Sequence, residues 1–205
     1  MINFDKLVAY FEKFPGVGAR QAKRFAFHVL TMKPEQVSEF SHLISSLSTS
    51  VTECALCRRF FSANAGGSKI CSICNDVNRD DHKLLIVASD NDIQAIERSG
   101  VYNGLYFVLG GTVPLMSKDT DQKLRSGAFK ALVTEKTKDN ELEVILGFAV
   151  NPDGENTGRY VESILSEFTN SGKVRISHLG RGLSTGSELE YADSETIKSA
   201  LRNRV

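Results

Sequence analysis

The sequence predicts a multidomain α/β protein, in which a helical N-terminal region precedes a small four-cysteine module and a sheet of largely parallel strands. Three observations support this fold class: a helical apolar pattern broken by a glycine turn, two Cys-x2-Cys pairs, and short apolar runs that alternate with helical patterns. A chain of 205 residues is long enough for one large domain or a small modular set. The predicted boundaries are 1–52 for the helical region, 53–77 for the cysteine module, 78–172 for the α/β domain, and 173–205 for a C-terminal segment of strand, glycine-rich loop and helix.

The composition is typical of a globular protein without overall charge. Hydrophobic residues make up 41% of the chain and charged residues 24%, and the 25 basic side chains balance the 25 acidic ones. This balance argues against attraction of the whole surface to nucleic acid, although a local basic surface can still bind phosphates. The chain has no run of 18 apolar residues and no secretory signal in its first residues, so we expect a cytoplasmic protein without a membrane span.

The first 35 residues predict two short helices joined by a tight turn. Apolar residues recur at helical spacing from Leu7 to Phe14, Pro15-Gly16-Val17-Gly18 breaks the pattern, and Ala19 to Leu30 resumes it. Gly16 and Gly18 allow a close approach of the backbone and expose amides at the start of the second helix. Such amides attract phosphates.

The second of these helices has a basic side. Arg20, Lys23 and Arg24 fall opposite the apolar stripe, with Phe27 among them, and no acid occurs from Lys13 to Pro34. The combination resembles a helix-hairpin-helix motif, which binds the nucleic-acid backbone without reading base sequence. The alternative is a plain helical hairpin with a solvated basic side.

The four cysteines predict a structural metal site. Cys54 and Cys57 form one Cys-x2-Cys pair, Cys71 and Cys74 form the other, and 13 residues separate the pairs. Two facing pairs supply four thiolates to one tetrahedral zinc ion and leave no open coordination position, so the site would stabilise structure without catalysing a reaction. The alternative is two disulfides, which require an oxidising compartment.

Short apolar runs in the remainder of the chain predict the strands of the sheet. The runs lie at 83–88, 105–109, 143–150 and 174–177, with helical patterns at 93–98, 122–137 and 156–168. Four acids follow the ends of strands, where open α/β sheets place their sites: Asp90, Asp92, Asp153 and Glu155. They can hold Mg²⁺ for phosphoryl transfer or act as helix caps and turn residues, and their spacing favours the second interpretation.

Taken in order, these pieces resemble the RecR family of bacterial recombination mediators. The resemblance rests on Phe14 to Leu30, on the four cysteines with the Arg79-Asp80 that follows them, on Ala95 to Gly111, and on Gly182 to Asp193. It implies an N-terminal helix-hairpin-helix, a zinc finger, a Toprim α/β domain and a C-terminal segment that aids assembly. It also implies homodimers that pair into a ring-shaped homotetramer around DNA. Such rings act with RecO, and in many bacteria with RecF, to help load RecA on single-stranded DNA.

The resemblance further implies a DNA-binding protein that is not an enzyme. The zinc ligands match the four cysteines, and the family's DNA-contacting basic residues match Arg20 and Arg24, with Lys23 beside them and Gly16 and Gly18 in the turn. The DNA bound can be single-stranded, duplex or gapped.

Two departures from the Toprim pattern bear on the function. Ala88 stands where that pattern has a glutamate, and the loop from Asn151 to Glu155 is two residues shorter than usual. Loss of a metal-binding carboxylate disfavours Mg²⁺ catalysis, and it also affects any RecO contact made through those acids. The alternative functions are a Toprim-type Mg²⁺-dependent nuclease or phosphotransferase, and a zinc-bearing protein adaptor without a nucleic-acid role.

Overall fold

A computed structural model describes residues 2–62, 67–115, 124–180, 190, 192 and 194–202. The helices are α1 (Ile2–Phe11), α2 (Ala19–Thr31), α3 (Pro34–Ser50), α4 (Asp90–Ser99), α5 (Ser126–Lys136), α6 (Pro152–Asn170) and α7 (Ser194–Arg202). The strands are β1 (Val51–Glu53), β2 (Phe60–Ser62), β3 (Asp80–Val87), β4 (Gly104–Val108), β5 (Leu142–Gly147) and β6 (Val174–His178). The mixed α/β class predicted from the sequence is confirmed.

The chain divides into two compact units, Met1–Val51 and Thr52–Val205. The four predicted domain boundaries stay predictions, and most of the predicted glycine-rich loop, at 181–189, lies outside the described residues. None of the helices in the described part of the chain combines the length and the apolar character needed to cross a membrane.

The first unit packs α1 against α2 through small side chains. Val8, Ala22 and Ala26 are buried. The alanines let the two helix backbones approach closely, and half-buried apolar side chains complete this small core: Phe4, Leu7, Phe11 and Val17. Because α2 begins at Ala19 and ends at Thr31, it agrees with the predicted second helix.

Helix α3 has no counterpart among the predicted elements. Pro34 begins it, where a missing amide proton costs nothing, and the Gln36 side chain accepts a hydrogen bond of 3.0 Å from the Lys33 amide. One side of this helix is apolar and exposed. Its members are Phe40, Leu43, Ile44 and Leu47.

The second unit contains a four-stranded parallel sheet in the order β4-β3-β5-β6. All four predicted strands are present, although β3 begins at Asp80, three residues before the apolar run. The extra residues are polar and at least partly exposed, so hydrophobic periodicity did not include them.

Both faces of this sheet are buried, as a parallel sheet requires. Successive strand residues point to opposite faces, so Leu84 and Ile86 of β3 pack under α5 and α6, whereas Leu85 and Val87 face the other way. The second face is covered by Ile93 of α4 together with the cysteine module. The cysteines are therefore part of the core of the α/β domain.

An ion pair joins the segment after the cysteines to α4 and β4. The Arg79 guanidinium donates to both carboxylate oxygens of Glu97, at 2.8 Å from Nη1 to Oε1, and to the Gly104 carbonyl at 3.2 Å. Tyr106 Oη donates to the same Glu97 carboxylate at 2.6 Å. Hydrogen bonds from Arg79 hold the pKa of the Glu97 carboxyl below its usual range, and burial is the main cause that raises the pKa of the Tyr106 hydroxyl.

This network predicts a pH dependence of stability. Because the folded pKa of Glu97 is depressed, its contribution is present above the unfolded value of about 4.3 and is lost as the pH falls through the folded pKa. We expect Glu97→Gln to lower the free energy of unfolding at pH 7 by about 1–3 kcal/mol, because it leaves the Arg79 charge without its partner. The mutant should also lose part of the decline of stability in acid, as measured by urea unfolding at several pH values.

Glu167→Gln is the matched control, because Glu167 forms an ion pair with Lys130 on the exposed surface. Glu167→Gln should change the free energy of unfolding by no more than about 0.5 kcal/mol. Any loss of a bound metal in acid affects all three proteins alike, so the difference between the variants isolates Glu97. Equal pH profiles for the wild type and Glu97→Gln would contradict the expected role.

Candidate metal centre and nucleic-acid-binding surface

The four cysteines come together as the sequence predicts. Their sulfur atoms all lie within 4.8 Å of one another, and the sulfurs of Cys57 and Cys71 are 3.6 Å apart. Four sulfurs at about 2.3 Å around a tetrahedral zinc ion would be separated by about 3.8 Å, so the cluster fits such an ion. All four are free thiols, which removes the two-disulfide alternative, and three of them are buried.

Local backbone geometry aims the two cysteine pairs at each other. The amide of Arg58 donates to the Cys54 carbonyl at 3.1 Å, and the amide of Asn75 donates to the Cys71 carbonyl at 3.0 Å, so the two pairs form equivalent turns. Arg58 has φ 64°, a left-handed conformation that lets the chain leave the first pair sharply. The Cys71 amide donates to the Cys54 sulfur at 3.4 Å and ties one turn to the other.

The crowded sulfurs favour a cation at their centre. The hydrogen bond between Cys57 and Cys71 lowers the pKa of the Cys71 thiol and raises the pKa of the Cys57 thiol. Without a cation, one thiolate is thus stabilised at the expense of its neighbours. A divalent ion that accepts four sulfur ligands would replace these shared protons, and the cluster can therefore hold a metal ion.

Three contacts attach the cysteine module to the α/β domain: one to the sheet, one to α4 and one to the residue before α5. The Cys57 carbonyl accepts a hydrogen bond of 2.8 Å from the Val108 amide of edge strand β4. The Phe60 amide of β2 donates to Asp90 Oδ1 at 2.7 Å. The Arg125 guanidinium pairs with Glu53 at 3.1 Å.

The acids predicted as a possible Mg²⁺ site include hydrogen-bond acceptors, namely Asp90, Asp92 and Asp153. Asp90 accepts from the Phe60 amide, Asp92 accepts from the amide and hydroxyl of Ser89, and Asp153 accepts from the Leu115 amide at 3.1 Å. Asp92, the third residue of α4, therefore forms a capping box with Ser89, the residue that precedes the helix. Among the described residues, the cysteine cluster is the one group of three or more side chains able to share a metal ion.

The turn between α1 and α2 has the form that the two glycines predict. Gly16 adopts φ +76°, which favours glycine, and the Val17 amide donates to the Phe14 carbonyl at 3.0 Å. Gly18 precedes α2 and has no side chain to cap its first amides. These amides are therefore available to an acceptor outside the helix.

The predicted basic surface is present on α2. Arg20, Lys23 and Arg24 are all exposed, on the side away from the buried alanines. In the part of the chain that the structure describes, no carboxylate pairs with any of them, and Arg24 donates only to the neighbouring Gln21 amide oxygen at 3.3 Å. We call these three cations the α2 basic surface.

Sequence reasoning missed three residues that hold the cysteine module on the α/β domain: Glu53, Phe60 and Arg125. Arg125 also donates to the Val108 carbonyl at 3.2 Å and lies over the Phe60 ring at 5.6 Å. No local pattern links such distant positions. The one sequence signal for these contacts was the presence of polar residues beside the cysteine pairs, and that signal does not identify their partners.

Comparison with known proteins gives consistent matches along the chain. The family model described as "RecR, helix-hairpin-helix" matches residues 4–47, "Toprim domain" matches 83–179, and "RecR, C-terminal" matches 182–205. Curated relatives named "Recombination protein RecR" include those of Lactobacillus acidophilus, 32% identical, and Streptococcus thermophilus, 33% identical. Each of these alignments covers 97% of this chain and 94% of the relative.

Replacing a cysteine should destabilise more than the cysteine module, because the cluster also covers the second face of the sheet. We expect Cys71→Ser to abolish binding of one metal ion per chain and to lower the free energy of unfolding by about 3 kcal/mol or more. Elemental analysis measures the metal content, and thermal unfolding followed by circular dichroism measures the loss of stability.

The exposed Ser72, in the same turn, gives the matched control: Ser72→Ala should keep the metal and the stability. If Cys71→Ser does not fold, removal of the metal from the wild type with a chelator gives the same comparison. A chelated protein with unchanged unfolding temperature would contradict a structural role of the metal.

Proposed function

The chain belongs to the RecR family of recombination proteins, and we propose from this premise that it is a recombination mediator in DNA repair. In this role it binds DNA as a ring and acts in the cytoplasm with a RecO-like protein, with or without RecF, to help load RecA on single-stranded DNA. The α2 basic surface beside the glycine turn is the observation on which the proposal depends.

Two features of this surface support phosphate binding. Its three cations lack acidic partners among the described residues, so no internal ion pair has to break when DNA arrives. The uncapped amides that follow Gly18 lie at the N-terminal end of the same helix, where its dipole favours an anion. Contacts of this kind hold the DNA backbone and do not read sequence.

We propose zinc as the metal of the cysteine cluster, because four thiolates in tetrahedral arrangement are its usual structural ligands. Cys54, Cys57, Cys71 and Cys74 would hold it. Its part in function is indirect: it holds the module that covers the sheet and leaves no coordination position for a substrate.

The exposed apolar side of α3 supports assembly of several copies. Phe40, Leu43, Ile44 and Leu47 are each more than two-fifths exposed and recur at the spacing of a helix–helix contact. A second copy of this chain is the proposed occupant. In a ring, several basic surfaces of modest affinity act on one DNA molecule, which suits a chain whose net charge is zero.

The proposal does not include catalysis. A Mg²⁺-dependent nuclease or phosphotransferase needs carboxylates that converge on a metal, but Asp90, Asp92 and Asp153 each accept hydrogen bonds from nearby groups. Ala88, which directly follows β3, contributes no carboxylate. Metal-dependent nicking that disappears in Asp153→Asn would favour the enzyme instead.

The double variant Arg20→Ala/Arg24→Ala tests DNA binding. We expect it to weaken binding to gapped DNA by roughly ten- to a hundredfold in low salt, because it removes two phosphate contacts per subunit. The slope of log affinity against log salt should fall by about 2 per bound subunit. Fluorescence anisotropy across a salt series measures both quantities.

Arg98→Ala serves as the matched control, because Arg98 is an exposed cation of α4 in the second unit. It should leave affinity and salt slope unchanged. Equal loss in both variants would remove the α2 basic surface from the proposal, and a wild-type protein that binds no DNA in low salt would favour the protein adaptor.

The apolar side of α3 predicts the oligomeric state. We expect the wild type to have a mass in solution that is a multiple of the single chain. Leu43→Asp/Leu47→Asp should raise the dissociation constant at least about a hundredfold, because two charges would be buried in the contact. Ser38→Asp/Ser45→Asp, on the opposite side of the helix, is the control and should leave the dissociation constant unchanged. Light scattering that gives a single-chain mass for the wild type would exclude a ring.

A further inference from the structure

Phe27 is an exposed aromatic residue at the C-terminal end of the α2 basic surface. Its side chain is 59% exposed. On a helix with 3.6 residues per turn, it lies one turn beyond Lys23 and Arg24 and two turns beyond Arg20, on the same side. The ring thus borders, on the same side of the helix, the cations proposed to contact phosphates.

Packing within the first unit covers only part of the Phe27 ring. Phe4 contacts it with a centroid distance of 4.9 Å and an interplanar angle of 52°, which fixes its position from the α1 side. Phe27 does not belong to the small core around Val8, Ala22 and Ala26. Phe25, which is less exposed at 37%, contacts another residue of α1 and is edge-on to Phe11 at 5.7 Å.

An aromatic ring within a cationic surface distinguishes single strands from duplex. In duplex DNA the base faces are stacked inside the helix, so a ring on the protein surface meets only sugar and phosphate. In a single strand the base faces are accessible and stack on aromatic side chains whatever the base. A surface made of cations alone lacks this preference.

The spacing along α2 suits one stacked base with its neighbouring phosphates. Lys23 and Arg24 lie about 4.5–6 Å from Phe27 along the helix axis, and Arg20 lies about 10 Å away. Their long side chains can reach the phosphates on either side of a base that rests on the ring. The absence of acids from Lys13 to Pro34 leaves this path uniformly attractive to a polyanion.

We propose that Phe27 is a stacking platform for an unpaired DNA base, and that it gives the α2 basic surface its preference for single-stranded DNA. The inference rests on the proposed DNA-binding function and adds the kind of DNA recognised. Phe4 acts as the support that keeps the ring in place.

The test compares the wild type, Phe27→Ala, Phe27→Leu and Phe27→Trp on a short oligothymidylate and on a blunt duplex. We expect Phe27→Ala to lose about five- to a hundredfold in affinity for the single strand. Phe27→Leu should lose most of the same affinity although it keeps apolar packing against Phe4, and Phe27→Trp should retain it. Affinity for duplex and the salt slope on both DNAs should not change, because no phosphate contact is removed.

Each other outcome has a separate meaning. A wild type that binds neither DNA overturns the proposed function itself. If the wild type binds DNA but Phe27→Leu binds the single strand as tightly, or loses duplex affinity equally, the stacking role is wrong. A change in the mass of Phe27→Leu in solution would assign the ring to a contact between copies, and an oligonucleotide of abasic sites that still distinguishes the wild type from Phe27→Leu would also overturn the proposal.

Discussion

The need to bury the second face of the parallel sheet is the constraint on which the rest of this protein depends. Leu85 and Val87 point away from the helices that cover the first face, and α4 alone provides few apolar side chains for them. The buried cysteines and Ile73 complete this layer. The metal-binding module is thus a layer of the α/β core, and the Arg79–Glu97 ion pair joins it to α4.

The first unit has the opposite character. Among its described residues, only three core side chains are buried, and large apolar groups remain on its surface, among them Phe27 and the apolar side of α3. A unit of this kind gains stability from what it binds, because apolar surface that a small domain cannot bury remains available to partners. Balanced net charge and a local basic surface therefore fit together, since assembly brings several such surfaces to one DNA molecule.

Sequence patterns predicted most of the fold because the decisive signals are local. The spacing of the cysteines, the apolar runs of the strands and the glycine turn each lie within a short segment, and the resemblance to the RecR family is confirmed. Helix α3 was missed because its sequence is rich in serine, which interrupts the helical apolar pattern. The strands β1 and β2, each three residues long, are too short for a periodic signal.

The candidate site shows the same difference between what local sequence signals predict and what they miss. The metal cluster was predicted by residue number, whereas the contacts of Glu53, Phe60 and Arg125 join positions far apart in the sequence and needed the fold. The acids illustrate a different limit: their position after the strands was predicted, but only the structure shows that Asp90 accepts a hydrogen bond from the cysteine module.

The hydrogen bond from Val108 to the Cys57 carbonyl has a consequence for cells that lack metal. Strand β4 lies at the edge of the sheet, and an open edge recruits strands from other molecules. A chain whose cysteine module is disordered would expose this edge together with the apolar second face. Metal starvation should then deplete the protein through aggregation and proteolysis before any recombination step is reached.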